Sequence, residues 1–157
     1  MMGVSGCGKS TIGKAAARRL GLPFIEADDF HSAANKAKMA GGTSLKETDR
    51  VPWIEALVWQ ARRHDGDVVM SCSALTQYVR DRLQSGLNGH CRFIYLRGSE
   101  DLIAKRLTSR KGHFFNPALL SSQFAALEEP SDAEILDIDQ TIDALVTAAC
   151  TRISMSR

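Results

Sequence analysis

The chain has 157 residues and carries 20 Lys plus Arg against 18 Asp plus Glu, a formal charge of +2. That length predicts one compact domain over 1–157, and charges this balanced argue against a nucleic-acid surface or an anionic-membrane surface. No apolar run approaches a membrane span, no signal-peptide pattern opens the chain, and the four cysteines form no CxxC pair. A cytoplasmic protein without a zinc site or disulfide framework is the simplest reading.

The first predicted element is a loop. Gly3-Val4-Ser5-Gly6-Cys7-Gly8-Lys9-Ser10 satisfies GxxxxGK[ST], the pattern that wraps backbone N–H groups around a nucleotide phosphate. Lys9 would reach the β- and γ-oxygens, Ser10 would ligate Mg²⁺, and Thr11 opens a helix to Leu20 whose positive dipole end faces the same anion. Cys7, among N–H groups at a helix N-terminus, is expected to favour its thiolate and to be open to alkylation that nucleotide blocks, unless it only fills a variable position. Such a loop normally leaves a buried parallel strand, yet only Met1 and Met2 precede it. A central strand is therefore expected to be missing or truncated. Two explanations compete: an apolar run of about six residues upstream, or a truncated remnant that binds nucleotide without turnover. The intact catalytic positions favour the first.

Helix and strand signals then alternate. Gly21 and Pro23 end the first helix, Phe24 to Ala27 reads as a strand closed by Asp28-Asp29, and Ser32 caps a helix over 33–40. A helix is expected from Pro52 to about Arg63, with Trp53, Ile54 and Leu57 on its apolar face. Runs 68–73 and 92–96 read as strands covered on both faces, with a helix over 75–85 between them. Ser99 caps a helix to about Arg110, Pro117 begins another to Leu127, 135–139 is a strand, and 141–153 is an amphipathic helix. This alternation predicts an α/β fold: a P-loop NTPase with a parallel sheet and helices on both faces. Its ligands belong at the carboxyl ends of the strands.

At that edge the loop, Asp28-Asp29 and Ser73 should converge. Asp28 and Asp29 suit the acidic tasks of phosphoryl transfer, holding a Mg²⁺ water and orienting or deprotonating an acceptor hydroxyl; a helix cap or solvated loop is the plainer alternative. His31 could hydrogen-bond a polyol or sit on the surface. Arg106, Arg110, Lys111 and His113 flank Gly112 between two helices, a pattern suited to a lid over a triphosphate, or to a solvated helix surface. Arg50, placed in a loop before Pro52, could clamp a carboxylate bidentately.

The stretches MGVSGCGKSTIGKA, DDFHSAANKAKMAGG, TDRVPWIEAL, SCSAL, YLRG, RLTSRKGHFF, LLSSQFAALEEP and DIDQ resemble, in order and over nearly the whole chain, the blocks of the gluconokinase family. The resemblance implies ATP-dependent phosphorylation of D-gluconate to 6-phosphogluconate, a fold like that of shikimate and nucleoside monophosphate kinases, and a homodimer. It places nucleotide on Gly3 to Thr11 with Arg106 and Arg110, and Mg²⁺ on Ser10 and Asp28. Gluconate would lie among Asp28, His31, Lys38, Arg50, Ser73 and His113, and Lys9, Asp28 and Arg110 would be catalytic, with the lid spanning about 106–117. The chain departs from the family pattern at Thr76, where lysine is usual, at Val79, where tyrosine is usual, and at Ser32, where proline is common. A related small-molecule kinase, for example one acting on shikimate, is the same-class alternative.

Overall fold

The computed structural model describes residues 1–109 and 117–155. Two short apolar runs, β1 (Phe24–Glu26) and β2 (Val69–Ser71), pair in parallel with Ile25 opposite Met70. A second parallel pair joins β3 (Ile94–Arg97) to β4 (Glu134–Asp137), with Tyr95 opposite Ile135. Residues 1–3 link the pairs. The Met2 N–H donates to Ile94 O at 2.8 Å, and Met2 O accepts from Leu96 N at 3.0 Å. On the other side the Met1 ammonium donates to Met70 O at 2.7 Å, Met1 O accepts from Cys72 N at 3.0 Å, and Gly3 N–H donates to Ser73 O at 3.2 Å. Alternate residues thus bond to opposite neighbours, as in any central parallel strand. The expected gap is therefore partial, since these three residues place the loop between β2 and β3.

Helices cover both faces. On one side α1 (Lys9–Leu20) lies against α7 (Ile142–Ser154), where Ile12 and Ala16 meet Leu145, Val146 and Ala149 in one buried cluster; Ile103 of α5 (Glu100–Thr108) joins it. Fully buried alanines at 16 and 149 let the two backbones come close. On the other side Trp53, Ile54 and Leu57 of α3 (Glu47–Arg62) and Val79 and Leu83 of α4 (Gln77–Gly86) pack with Ile25, Met2 and Tyr95. Two further helices are α2 (Ala33–Ala40), where Ser32 Oγ accepts from Asn35 N at 3.1 Å, and α6 (Pro117–Ala126), whose Leu120 joins the α1–α7 cluster. Among the described residues no helix is long and apolar enough to cross a membrane.

Several expected boundaries move, each for a local reason. The helix predicted from Pro52 begins at Glu47, because Asp49 accepts the Lys46 N–H at 3.0 Å and two acidic residues occupy the first turn. Pro52 then sits inside the helix and forgoes one ladder bond. Arg50 is consequently a helical residue, not a loop residue. The helix predicted from Leu75 begins at Gln77, since Ala74 is left-handed (φ +43°) and Thr76 Oγ1 caps Val79 N. The strand after Pro23 stops at Glu26, and Ala27–Phe30 form a 3₁₀ turn. There Ala27 O accepts the Trp53 indole N–H at 2.8 Å instead of extending the ladder.

Leu57, with no exposed surface between α3, α4 and the sheet, tests this packing. Leu57→Ala is expected to destabilise the protein by about 2–5 kcal/mol, read as a lower denaturation midpoint with an unchanged m-value.

Candidate active site

The phosphate loop turns its backbone outward and its apolar side chains inward. Gly3 takes φ +135°, and a Cβ there would stand 2.9 Å from Leu96 O and 3.0 Å from Cys7 Sγ, so that position admits only glycine. Val4 and Cys7 are buried in the α1–α7 cluster. This corrects the expectation of a reactive Cys7: its side chain has no exposed surface and packs in the core beneath the loop. Gly8, at φ +104°, precedes α1 without a side-chain cap, and the first turn of the helix holds no acidic residue. The amides there are left for an outside acceptor, which is the condition for an anion site. Lys9 Nζ donates to Val4 O at 2.9 Å, resting on its own loop, and Ser10 Oγ lies 3.5 Å from Ser71 Oγ at the end of β2. Ser5 N donates to Gln123 Oε1 at 2.6 Å, which fastens α6 to the loop.

Among the described residues no group of three or more His, Cys, Asp or Glu is arranged to hold a metal ion. Mg²⁺ in kinases is held by one or two protein oxygens together with phosphate oxygens and water. Ser10 Oγ, beside Ser71 Oγ, and the exposed carboxylate of Asp28 are oxygens of the kind such an ion takes.

The acceptor side is built from the 3₁₀ turn after β1. Asp28 and Asp29 are exposed there, and Asp29 offers its carbonyl to Lys36 Nζ at 3.2 Å. His31 follows with its ring stacked on Trp53, centroids 4.4 Å apart and planes 10° from parallel. It is 9% exposed, and its Nδ1 has no hydrogen-bond partner among the described residues. Burial holds the His31 pKa below its ordinary value, with Asp28 opposing the shift and Lys36 and Arg50 adding to it. Lys38 pairs with Asp49 at 2.7 Å, beside Arg50 in the chain. Ser73 is half-buried and bonded through its carbonyl to Gly3, so the acceptor side and the loop are directly linked.

Two supporting residues escape a pattern-based reading. Asn35, 6% exposed, donates from Nδ2 to Asp49 O at 2.8 Å and so fixes the turn of α3 that carries Arg50. Arg80, 2% exposed, donates from Nη1 to Ala74 O at 2.9 Å and Leu75 O at 3.1 Å, and from Nη2 to Gln77 Oε1 at 2.8 Å. A buried guanidinium thereby locks the left-handed turn after Ser73. The signal was available, because Arg80 sits four residues past the helix cap Thr76 on the apolar side marked by Val79 and Leu83, a costly place for a charge without partners.

The lid residues divide. Arg106 lies near the end of α5 and donates from Nη2 to Ile138 O at 2.5 Å, which holds it beside the carboxyl end of β4. Arg110, Lys111 and His113 lie outside the described residues.

A phosphate loop at the carboxyl edge of a parallel sheet, with acidic and basic residues gathered opposite it, defines a P-loop small-molecule kinase. The shikimate kinase family profile matches residues 5–130. The chain is 42% identical over 161 aligned residues to a "Probable gluconokinase" of Dictyostelium discoideum, covering 93% of this chain and 80% of that one. It is 40% identical to the thermoresistant gluconokinase of Escherichia coli, covering 94% and 88%. A crystal structure of a gluconokinase from Sinorhizobium meliloti superposes with a TM-score of 0.88 at 38% identity, covering 98% and 91%. The chain belongs to the gluconokinase family of P-loop kinases.

Two outcomes follow from this geometry. Cys7 in the folded protein should react with iodoacetamide no faster than the protein unfolds, with or without MgATP, as peptide mapping of the alkylated chain will read. Because the folded-state pKa of His31 is lowered, folding favours its neutral form. Its contribution to stability is full above the ordinary value of 6.5 and is lost as pH falls through the lowered folded value. Denaturant unfolding of the wild type between pH 7 and pH 5 should show this loss, and His31→Gln should remove that part of the slope.

Proposed function

We propose that this chain is a gluconokinase, transferring the γ-phosphoryl group of ATP to the C6 hydroxyl of D-gluconate with Mg²⁺ as cofactor. The observation that carries the reading is the uncapped start of α1 behind a complete phosphate loop, opening on the same sheet edge as Asp28, His31 and Ser73. Membership in a family whose relatives bear that name supports the substrate.

In this reading the loop amides and Lys9 hold the β- and γ-phosphates, with Lys9 leaving the Val4 carbonyl to do so, and Ser10 and Asp28 supply oxygens to the cation. The C6 oxygen attacks the γ-phosphorus in line, its proton passes to the Asp28 carboxylate, and the bond from the γ-phosphorus to the β,γ-bridging oxygen breaks to release ADP. Positioning and charge neutralisation supply most of the acceleration, since the protein forms no covalent bond to substrate. Arg50 pairs with the gluconate carboxylate, whose planar oxygens suit a guanidinium, and His31, Lys38, Ser73 and His113 line the polyol. Arg106 and Arg110 belong to the lid, about 106–117 within a single kinase domain, that closes over the triphosphate. Arg110 is the lid residue assigned to catalysis. A cytoplasmic homodimer completes the proposal, and the exposed side chains of Trp59 and Ile142 offer apolar surface for such a contact.

A coupled ADP-release assay across gluconate, shikimate and related acids tests the assignment, and turnover of shikimate without turnover of gluconate would refute it. Asp28→Asn should lower kcat by about 10²–10⁴-fold with little change in KM for ATP. Arg50→Lys should raise KM for gluconate by roughly tenfold, because an ammonium replaces a bidentate contact with a point charge.

A further inference from the structure

Helix α6 carries a polar residue in its inward stripe. Leu120, Gln123, Phe124 and, just past the helix end, Leu127 follow the i, i+3, i+4, i+7 spacing of a buried face, and the three apolar members pack in the α1–α7 cluster. Gln123 interrupts that stripe at the phosphate loop. Its Oε1 accepts the Ser5 N–H at 2.6 Å across a separation of 118 residues. Because a backbone N–H can only donate, the carboxamide must turn its oxygen to the loop. Beyond the helix end, Glu128 Oε2 accepts the Gln77 N–H at 2.5 Å and its own N–H donates to Leu75 O at 2.9 Å. Core packing on one side and these bonds on the other hold α6, and with it Gln123, against the loop.

The peptide that Gln123 holds is the one on which Lys9 rests. Ser5 N and Val4 O belong to a single planar group, and Val4 O accepts Lys9 Nζ at 2.9 Å and the Cys7 N–H at 3.4 Å. Gln123 on the nitrogen side therefore fixes the direction of the carbonyl on the oxygen side. A bond at the N–H also polarises that carbonyl and strengthens its own bond to the ammonium. The next residue, Gly6, is pressed by Leu107 of α5, whose Cγ would stand 2.8 Å from a Cβ at that position. The loop is thus held from α6 and from α5 at adjacent residues. Nothing in the loop motif calls for Gln123, which lies far outside Gly3 to Ser10 in the chain.

We propose that Gln123 is a positioning residue for Lys9, acting through the Val4–Ser5 peptide: it holds the plane of that peptide so that the lysine waits at one place on the loop. Without the Gln123 acceptor the peptide is free to turn about the adjoining backbone bonds of Val4 and Ser5. Lys9 then exchanges a fixed carbonyl for solvent. What this means for phosphate rests on the kinase reading of the site, in which Lys9 moves from the Val4 carbonyl to the β- and γ-oxygens. The placing of Lys9 itself does not depend on that reading.

Two variants of the whole chain separate positioning from a plain structural tie. Gln123→Leu keeps the size of the side chain and removes the acceptor, whereas Gln123→Glu keeps an acceptor at the same reach. Acetylation of Lys9 by acetic anhydride, mapped on peptides, is expected to be about threefold to tenfold faster in Gln123→Leu than in the wild type, the range that one hydrogen bond sets. In Gln123→Glu it should run at or below the wild-type rate. MgADP should bind Gln123→Leu more weakly by a similar factor, with Tm within about 3 °C of the wild type. Acetylation of Lys9 at the wild-type rate in Gln123→Leu would overturn the proposal and leave Gln123 as a tether of α6. So would equally fast acetylation in Gln123→Glu and Gln123→Leu, because the acceptor would then not matter. Neither readout uses gluconate, so a lack of gluconate turnover counts against the kinase reading alone.

Discussion

Everything in this molecule hangs from the ladder that residues 1–3 make with both halves of the sheet. β1 and β2 form one pair and β3 and β4 another, and among the described residues the ladder bonds from Met1, Met2 and Gly3 to Met70, Cys72, Ser73, Ile94 and Leu96 join them. The phosphate loop begins at the last of those residues. Its position relative to Ser73 on one side and Leu96 on the other is therefore set by backbone hydrogen bonds rather than by side-chain packing, which keeps a flexible glycine-rich turn in a fixed place. A Cβ at Gly3 would meet Leu96 O, so the same contact explains why the loop starts with glycine.

From that anchor the site is assembled by buried polar bonds that each tie one loop to one helix. Trp53 holds the turn bearing Asp28 through Ala27 O and stacks on His31, Asn35 holds the start of α3 through Asp49 O, and Arg80 holds the turn after Ser73. The carbonyls of Ala27, Ala74 and Leu75, which lie outside the strands and α-helices, each accept from a side chain. These are the places where local sequence preferences mispredict boundaries, and they are also the places that aim residues into the cleft. Buried bonds of this kind contribute only about 0.5–1.5 kcal/mol each, more to a charged group, yet leaving the carbonyls unpaired would cost more. Their value lies in specifying one geometry.

Thr76 illustrates how a departure from a family pattern is absorbed. Where the family usually has lysine, threonine caps α4 through Val79 N, so the helix start is kept without that cation. Cys7 illustrates the opposite error. Its place in the motif suggested a thiolate among amides, but a loop that turns its N–H groups outward must turn alternate side chains inward, and Cys7 fills the core.

The sequence by itself determined the alternation of strands and helices, the parallel sheet, the phosphate loop, most caps and the family, because these follow from local periodicity, from glycine and cap positions, and from ordered blocks of residues. It also placed Asp28, Ser73 and the loop at one edge, since each follows a strand. Only the tertiary structure decided that α3 begins before Arg50, that Ala74 is left-handed, that Arg80 is buried, that His31 lies on Trp53, and that Met1 and Met2 bridge two strand pairs. The stacking of His31 on Trp53 and the bridging by Met1 and Met2 depend on partners more than ten residues away, whereas the start of α3 and the burial of Arg80 rest on short-range bonds to Lys46 and to Ala74, Leu75 and Gln77 that override what Pro52 and a charged side chain favour by themselves.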